Sequence, residues 1–386
     1  MKNFNFYNPT KIYFGKDETD KIGKLCKEYG NNVLLVYGKT AIKRIGLYDR
    51  VINSLKKENI NVFELPGIDP NPRIESIREG GKLCKNHKID LVLAVGGGSV
   101  IDASKGIASA ALYEGDPWDF YSYKAESNGA LPIASILTLS ATGSEMNGGS
   151  VVTNFATKEK NGWGSQFTNP KFSILDPANT FSVSKHQTAC GIVDSLTHVY
   201  EYYFSSDQSF LNDRICEGIM KTVIHFGPIA LKEPNNFEAR SNLMFSSTLA
   251  LNGLSGFAKT WDGFNHTTEH LLSAYYDIAH ADGLAILAPH WMEKILNEKT
   301  LDKFYEFAVN VWGVEESDDK MSVAKEGINQ VYKFYESIKM PLTLREVDII
   351  DPPLEELAKR ATKNGTIGRY LNLDYKDVLD ILTKSL

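Results

Sequence analysis

The chain has 386 residues, 42% hydrophobic and 23% charged, with a formal net charge of −6. That length exceeds what one hydrophobic core usually supports, so two domains are expected in an otherwise ordinary globular composition. No apolar run approaches the roughly 20 residues of a membrane helix, no basic stripe suits a phosphate backbone, and the amino terminus lacks a basic-then-apolar leader. Cys26, Cys84, Cys190 and Cys216 are far apart and form no Cys-x-x-Cys pair, which argues against a disulfide framework or zinc knuckle and for a reducing cytoplasm. Membrane and nucleic-acid partners are not expected.

Up to about Pro177, short apolar runs bounded by Gly, Pro, Asn or Asp alternate with segments of helical period, the pattern of βαβ units. Residues 33–37, 91–95, 133–137 and 172–175 are predicted strands. Their continuous hydrophobicity suits a parallel sheet covered on both faces, with helices such as 47–57 and 74–85 as the cover. Beyond Pro177 the strand-like runs stop and amphipathic helices are predicted to the end; Ser184-Lys185-His186-Gln187 is a capping-box start. The fold class expected is therefore an α/β Rossmann-like parallel-sheet domain, residues 1–177, followed by an all-α domain, residues 178–386. An active-site cleft between them is the default ligand site.

The predicted strand at 91–95 runs into Gly96-Gly97-Gly98-Ser99, with a helix expected over 100–112. Backbone without side chains can approach a pyrophosphate there, and the helix start offers N–H groups and a favourable dipole. A ligand-free tight turn is the plainer reading of three glycines, and the sequence is not the Gly-x-Gly-x-x-Gly fingerprint. The loop Thr138-Leu139-Ser140-Ala141-Thr142-Gly143-Ser144-Glu145 could line the same cofactor. After the first strong strand stand Gly38, Lys39 and Thr40, then Lys43 and Arg44, with no acid to bind a ribose hydroxyl; this favours NADP over NAD.

Asp194 and His198 are spaced i, i+4 on one helix face. Alone the pair reads as a helix-side hydrogen bond. Farther on come His266 and His270 at the same spacing, then His280. An unbroken helix would separate His266 from His280 by about 21 Å at 1.5 Å per residue, so a break is predicted at 276–279. Three imidazoles and one carboxylate without thiolate suit iron, zinc, cobalt or nickel rather than magnesium or calcium. Such an ion polarises a carbonyl oxygen, and a polarised carbonyl beside a nicotinamide is a hydride-transfer site.

Several segments in order carry a resemblance. They are residues 6–15 (Phe-Tyr-Asn-Pro-Thr-Lys-Ile-Tyr-Phe-Gly), Pro70-Asn71-Pro72, Gly96 through Lys105, Ala141-Thr142-Gly143-Ser144-Glu145, Leu175-Asp176-Pro177, Gly191 through His198, and the 14-residue step from His266 to His280. Over nearly the whole chain they resemble the iron-containing, or group III, alcohol dehydrogenases, within them the butanol dehydrogenase-like aldehyde reductases. The resemblance implies a divalent metal, Fe²⁺ or Zn²⁺, on Asp194, His198, His266 and His280. It implies nicotinamide-cofactor contacts on Gly38, Asn71, Gly97, Gly98, Ser99, Asp102, Thr138, Thr142 and Leu175, with Lys39 and Thr40 beside them. His270, which the resemblance does not make a ligand, is read as a proton relay or nicotinamide neighbour. A small aldehyde or primary alcohol such as butyraldehyde or butanol is the implied substrate, and a homodimer the implied assembly. A departure is Lys39-Thr40-Ala41, where NADP-using relatives carry more glycine and a serine. The rival readings are a glycerol dehydrogenase-like or other polyol dehydrogenase, and a non-catalytic protein binding nucleotide and metal. Trp118, Phe120, Trp163 and Phe264, if they line the cleft, make it apolar and disfavour glycerol; core packing is the alternative for each.

Overall fold

A computed structural model describes all 386 residues, which form two compact units. One comprises residues 7–184 and 233–252, the other residues 1–6, 185–232 and 253–386.

The first unit is built on eight strands: β1 (Lys11–Phe14), β2 (Asn32–Tyr37), β3 (Asn61–Leu65), β4 (Leu91–Gly96), β5 (Ile133–Leu137), β6 (Gly149–Asn154), β7 (Glu159–Gly164) and β8 (Phe172–Leu175). Six of them form a sheet in the order β1-β8-β5-β4-β2-β3, parallel throughout. The central strands are buried on both faces: Leu34, Val36, Val92 and Ala94 enter one core, Val33, Leu35, Leu91, Leu93 and Val95 the other. That two-sided burial is why their sequences are continuously apolar. The edge strands β1 and β3 mix exposed and half-buried positions, so they carry no such run. From β2 the chain winds outward to β3 and then returns to place β4 on the other side of β2. The sheet therefore reverses direction between β2 and β4, and a crevice at such a switch point, outside the carboxyl ends of the strands, is where open α/β sheets take ligands.

The four aromatic residues considered for an apolar pocket are core residues. Trp118, Phe120 and Trp163 are buried in one face of the sheet unit, with Phe120 and Trp163 stacked at 5.0 Å. Phe264 is fully buried in the other unit near Trp291. Mutual ring packing removes more apolar surface than lining a wet cavity would, and the argument against a polyol substrate that rested on these residues falls.

A buried cation ties the sheet unit's loops together. Lys105, on the Gly98–Ala110 helix, is fully buried and donates to Ser144 Oγ (2.7 Å), Asn147 Oδ1 (3.0 Å) and the Gly149 carbonyl (2.6 Å). Burial pushes its ammonium down to about 8, against the opposing pull of Asp102 and Glu145. Thr248, on the Phe237–Ala250 helix, donates to the buried Glu145 carboxylate, and Met244 of the same helix enters the sheet's core. These contacts explain why residues 233–252 belong to the sheet unit although they lie far along the chain.

The second unit contains the Lys185–Tyr203, Phe210–Lys232, Phe264–Tyr276, His280–Ile295, Leu301–Trp312, Lys320–Ser337, Leu354–Ala361 and Tyr375–Lys384 helices. No helix is long and apolar enough to cross a membrane. The first of them starts one residue after Ser184.

Lys105→Met keeps the stem and deletes the charge, leaving three acceptors and two nearby carboxylates without their cation. Urea unfolding is expected to show a loss of about 3–5 kcal/mol; a loss under about 1 kcal/mol would mean that the ammonium is not what holds residues 144–149.

Candidate metal centre and nucleotide-binding edge

Asp194 and His198 lie one turn apart on the Lys185–Tyr203 helix, both buried. The Phe264–Tyr276 helix supplies His266, and it ends at Asp277, whose left-handed backbone (φ 51°) turns the chain so that a new helix begins at His280. The predicted break is in place, and it returns His280 to Asp194. Around Asp194 Oδ1 stand His198 Nδ1 at 3.5 Å, His266 Nε2 at 3.8 Å and His280 Nε2 at 3.9 Å.

These separations are too long for hydrogen bonds. They are close to the about 3.3–3.6 Å between donors that share a tetrahedral ion with ligand bonds of about 2.0–2.2 Å. Asp194 Oδ1, His198 Nδ1 and His266 Nε2 are buried and have no hydrogen-bond partner in the protein. Three buried ligand-type atoms without hydrogen-bond partners converge in one spot, which is rare in a protein interior, so the residues fit a divalent metal. Burial drives His198 down to about 3 against the pull of Asp194, which keeps its ring neutral with a lone pair to donate. Burial alone would raise Asp194; its three imidazole neighbours, His198 foremost, hold it well below the carboxylate range.

Two carboxylates that the sequence reading did not single out fix the rings. Glu201, fully buried, accepts from His266 Nδ1 at 2.6 Å through one oxygen. Its other oxygen accepts from the backbone N–H of Asn265 (2.6 Å) and of His266 (3.4 Å) at the start of the His266 helix. Glu269, also fully buried, accepts from His280 Nδ1 and from the Ser273 hydroxyl. A Cβ on Gly283 would overlap the Glu269 side chain, so only glycine admits this approach. The available signal was spacing: Glu201 follows His198, and Glu269 follows His266, by three residues. His270 stands beside His280, ring centroids 5.5 Å apart, rather than in the Asp194 cluster.

In the sheet unit the residues read as cofactor contacts gather at the carboxyl edge of the strands. Gly38, Lys39 and Thr40 follow β2, Asn71 lies beyond β3, Gly97 and Gly98 follow β4, Thr138 follows β5 and Leu175 ends β8. Ser99 donates its hydroxyl to the Pro70 carbonyl. Gly98 opens its helix against Thr142, where a Cβ would overlap the threonine side chain. Asp102 does not point outward alone: its carboxylate accepts from Val151 N (2.8 Å) and from the Ser144 hydroxyl. Lys39 is paired with Asp69 at 3.0 Å, and Lys43 lies over the rings of Tyr37 (5.2 Å) and Tyr48 (4.7 Å).

Residues 9–177 match the family model described as iron-containing alcohol dehydrogenase, and residues 188–386 match that of the Fe-containing alcohol dehydrogenase family, C-terminal. The chain belongs to the iron-containing alcohol dehydrogenase family. It is 47% identical, over the full length of both chains, to NADH-dependent butanol dehydrogenase A of Clostridium acetobutylicum. It is 36% identical to an NADPH-dependent aldehyde reductase of Escherichia coli, over 95% of this chain and 94% of that one. The crystal structure of NADH-dependent butanol dehydrogenase A from Thermotoga maritima superposes with a TM-score of 0.96 at 39% identity, covering 100% of this chain and 99% of that chain.

For this iron-containing alcohol dehydrogenase, Glu201 gives a two-part expectation. In the metal-free protein Glu201 and Asp194 raise His266 to about 10, overcoming the burial that would lower it. The stabilisation from that imidazolium is complete below the unfolded value of about 6.5 and is lost as pH rises towards 10. Metal-free protein should therefore lose thermal stability across that window; metal-loaded protein should not if His266 holds the ion, because ligation through Nε2 keeps the ring neutral. Glu201→Gln should flatten the metal-free profile and weaken metal binding by about 10–100-fold. An unchanged affinity in a competition with a chromogenic chelator would refute the orienting role.

Proposed function

We propose that the protein is a metal-dependent alcohol dehydrogenase that reduces small aldehydes such as butyraldehyde to primary alcohols, with NADH as the working cofactor. The observation that carries the reading is the convergence of three buried, unpartnered donor atoms, on Asp194, His198 and His266, with His280 beside them. Residues 1–177 are proposed as the nucleotide-binding portion and residues 178–386 as the metal-binding portion.

When bound, a divalent ion, Fe²⁺ or Zn²⁺, supplies Lewis-acid polarisation of a carbonyl and the dihydronicotinamide supplies hydride. The chain's residues position and protonate. Asp194, His198, His266 and His280 are the proposed ligands, with Glu201 and Glu269 holding the Nδ1 protons of His266 and His280 so that each Nε2 faces Asp194. Gly97, Gly98 and Ser99 are proposed to take the pyrophosphate on a helix start, with Gly38, Lys39, Thr40, Asn71, Asp102, Thr138, Thr142 and Leu175 around the rest of the cofactor. His270 is proposed to deliver the proton to the product oxygen.

The choice of NADH reverses the NADP preference drawn from the sequence. Lys39 is offset by Asp69 and Lys43 is engaged on two tyrosines, so neither cation stands ready for a 2′-phosphate. Asp69 adds a carboxylate that would repel one. The 47% identical Clostridium relative is NADH-dependent by name. A homodimer is the proposed assembly.

Anaerobic protein reloaded with Fe²⁺ or Zn²⁺ should oxidise NADH with butyraldehyde, with kcat/KM for NADH at least about tenfold above NADPH, a difference of about 1.4 kcal/mol. Asp194→Ala and His280→Ala should each lower kcat by about 10³-fold or more, the several kcal/mol that metal polarisation contributes. Faster NAD-linked oxidation of glycerol than of butanol would favour the polyol reading, and bound metal and nucleotide without turnover the non-catalytic one. His270→Asn should lower kcat by about 10²-fold and abolish the His-range inflection of its pH profile; an unaltered profile would remove His270 from the proton path.

A further inference from the structure

Beside the centre already described lies a second set of ligand-type side chains, His186, Cys190 and Asp282. His186 and Cys190 are one turn apart on the first two turns of the Lys185–Tyr203 helix, and Asp282 lies in the first turn of the His280–Ile295 helix. Cys190 Sγ is 3.6 Å from His186 Nε2 and 3.9 Å from Asp282 Oδ1; His186 Nε2 is 3.4 Å from Asp282 Oδ2. Donors sharing one tetrahedral zinc, with bonds of about 2.0–2.3 Å, stand about 3.3–3.7 Å apart. Closing the set around an ion therefore needs movements of a few tenths of an ångström. The Asp282 carboxylate is nearly buried, whereas the His186 side chain is 53% exposed, which leaves an entry path and room for water as a fourth ligand.

We infer that His186, Cys190 and Asp282 form a second metal site, selective for a thiophilic divalent ion such as Zn²⁺. Thiolate, imidazole and carboxylate together suit zinc or cobalt and do not suit magnesium or calcium. This donor set differs in kind from the Asp194 centre, which has no sulfur. Burial, with the nearby Asp282 and Asp194 carboxylates, raises the Cys190 thiol well above its ordinary range, so without an ion it stays protonated, a poor nucleophile and a poor redox sensor, and an ion that binds must displace its proton. Cys190 precedes Asp194 by four residues and Asp282 follows His280 by two. An ion here would sit about 6 Å along the helix axis from the first, four residues at about 1.5 Å each, and would clamp together the two helices that carry Asp194 and His280. Repulsion between two dications at that range makes this the weaker site, filled second. The inference does not depend on the dehydrogenase reading.

Cobalt is the probe, because a cysteine ligand gives Co²⁺ a near-ultraviolet sulfur-to-metal charge-transfer band and the other three cysteines are buried. The metal-stripped full chain would be titrated anaerobically with Co²⁺, with bound cobalt counted by equilibrium dialysis. The expected result is two equivalents per chain, the sulfur band growing only with the second, bleached by Zn²⁺ and unaffected by Mg²⁺. Cys190→Ser should bind one equivalent with no band while keeping its dehydrogenase turnover. His186→Ala should weaken the second equivalent by at least about tenfold, the loss expected when a metal-site residue is removed. Asp194→Asn should keep the band while losing the first equivalent. A single equivalent without a sulfur band, a band that survives in Cys190→Ser, or equal displacement by Mg²⁺ would overturn the assignment.

Discussion

The carboxylate of Glu201 is the constraint on which the donor cluster depends. A carboxylate sealed from water is costly unless every lone pair is used, and here the start of a neighbouring helix meets that demand. The N–H groups of Asn265 and His266, which a helix start leaves without intrahelical partners, point at one oxygen, and the His266 ring donates to the other. One group therefore sets where the helix begins and how the ring on its first turn is rotated. Asp262 assists from the other side: its buried carboxylate, raised to about 6 mainly by burial, accepts from Phe264, Arg369 and Tyr370.

The same device recurs on the other arm of the centre. Glu269 orients His280 while Ser273 and the space left by Gly283 hold Glu269 in place. Asp194, Glu201 and Glu269 are thus three buried acids threaded through the imidazoles of His198, His266 and His280. Two of the acids do not face the common point, and the third does. That division, with outer carboxylates accepting from Nδ1 so that Nε2 faces inward, is how proteins fix the tautomer and direction of metal-binding imidazoles.

In the sheet unit the governing demand is on backbone rather than on charge. Gly98 must sit against Thr142, and the loop that carries Thr142 is fixed from beneath by Lys105, Asp102 and Glu145 with their hydroxyl and amide partners. Loops at a strand edge are ordinarily the mobile part of an α/β fold. Here buried polar groups hold the loop that abuts the start of the Gly98–Ala110 helix.

Much of this was written in the sequence where physics is local. Continuous apolar runs identified β2, β4, β5 and β8, because two-sided burial leaves no room for alternation. Helical spacing paired Asp194 with His198, and the distance an unbroken helix would impose located the break that Asp277 provides. The edge strands β1 and β3 escaped because half-exposed residues carry no distinctive pattern. Four large aromatics looked equally able to line a cavity or fill a core, since a side chain's own chemistry does not state its neighbours; the packing of Phe120 on Trp163 decided it. Spacing placed Glu201 and Glu269 near histidines of their own helices, but only the tertiary structure could pair them with His266 and His280, or bring His186 and Cys190 to Asp282, because hydrogen-bond partners and donor distances across helices depend on how the helices dock. The sequence by itself determined the periodicities, the breaks and the ligand chemistry available. Which buried atoms were left without partners was decided by packing alone, because a side chain's neighbours are set by how the helices dock.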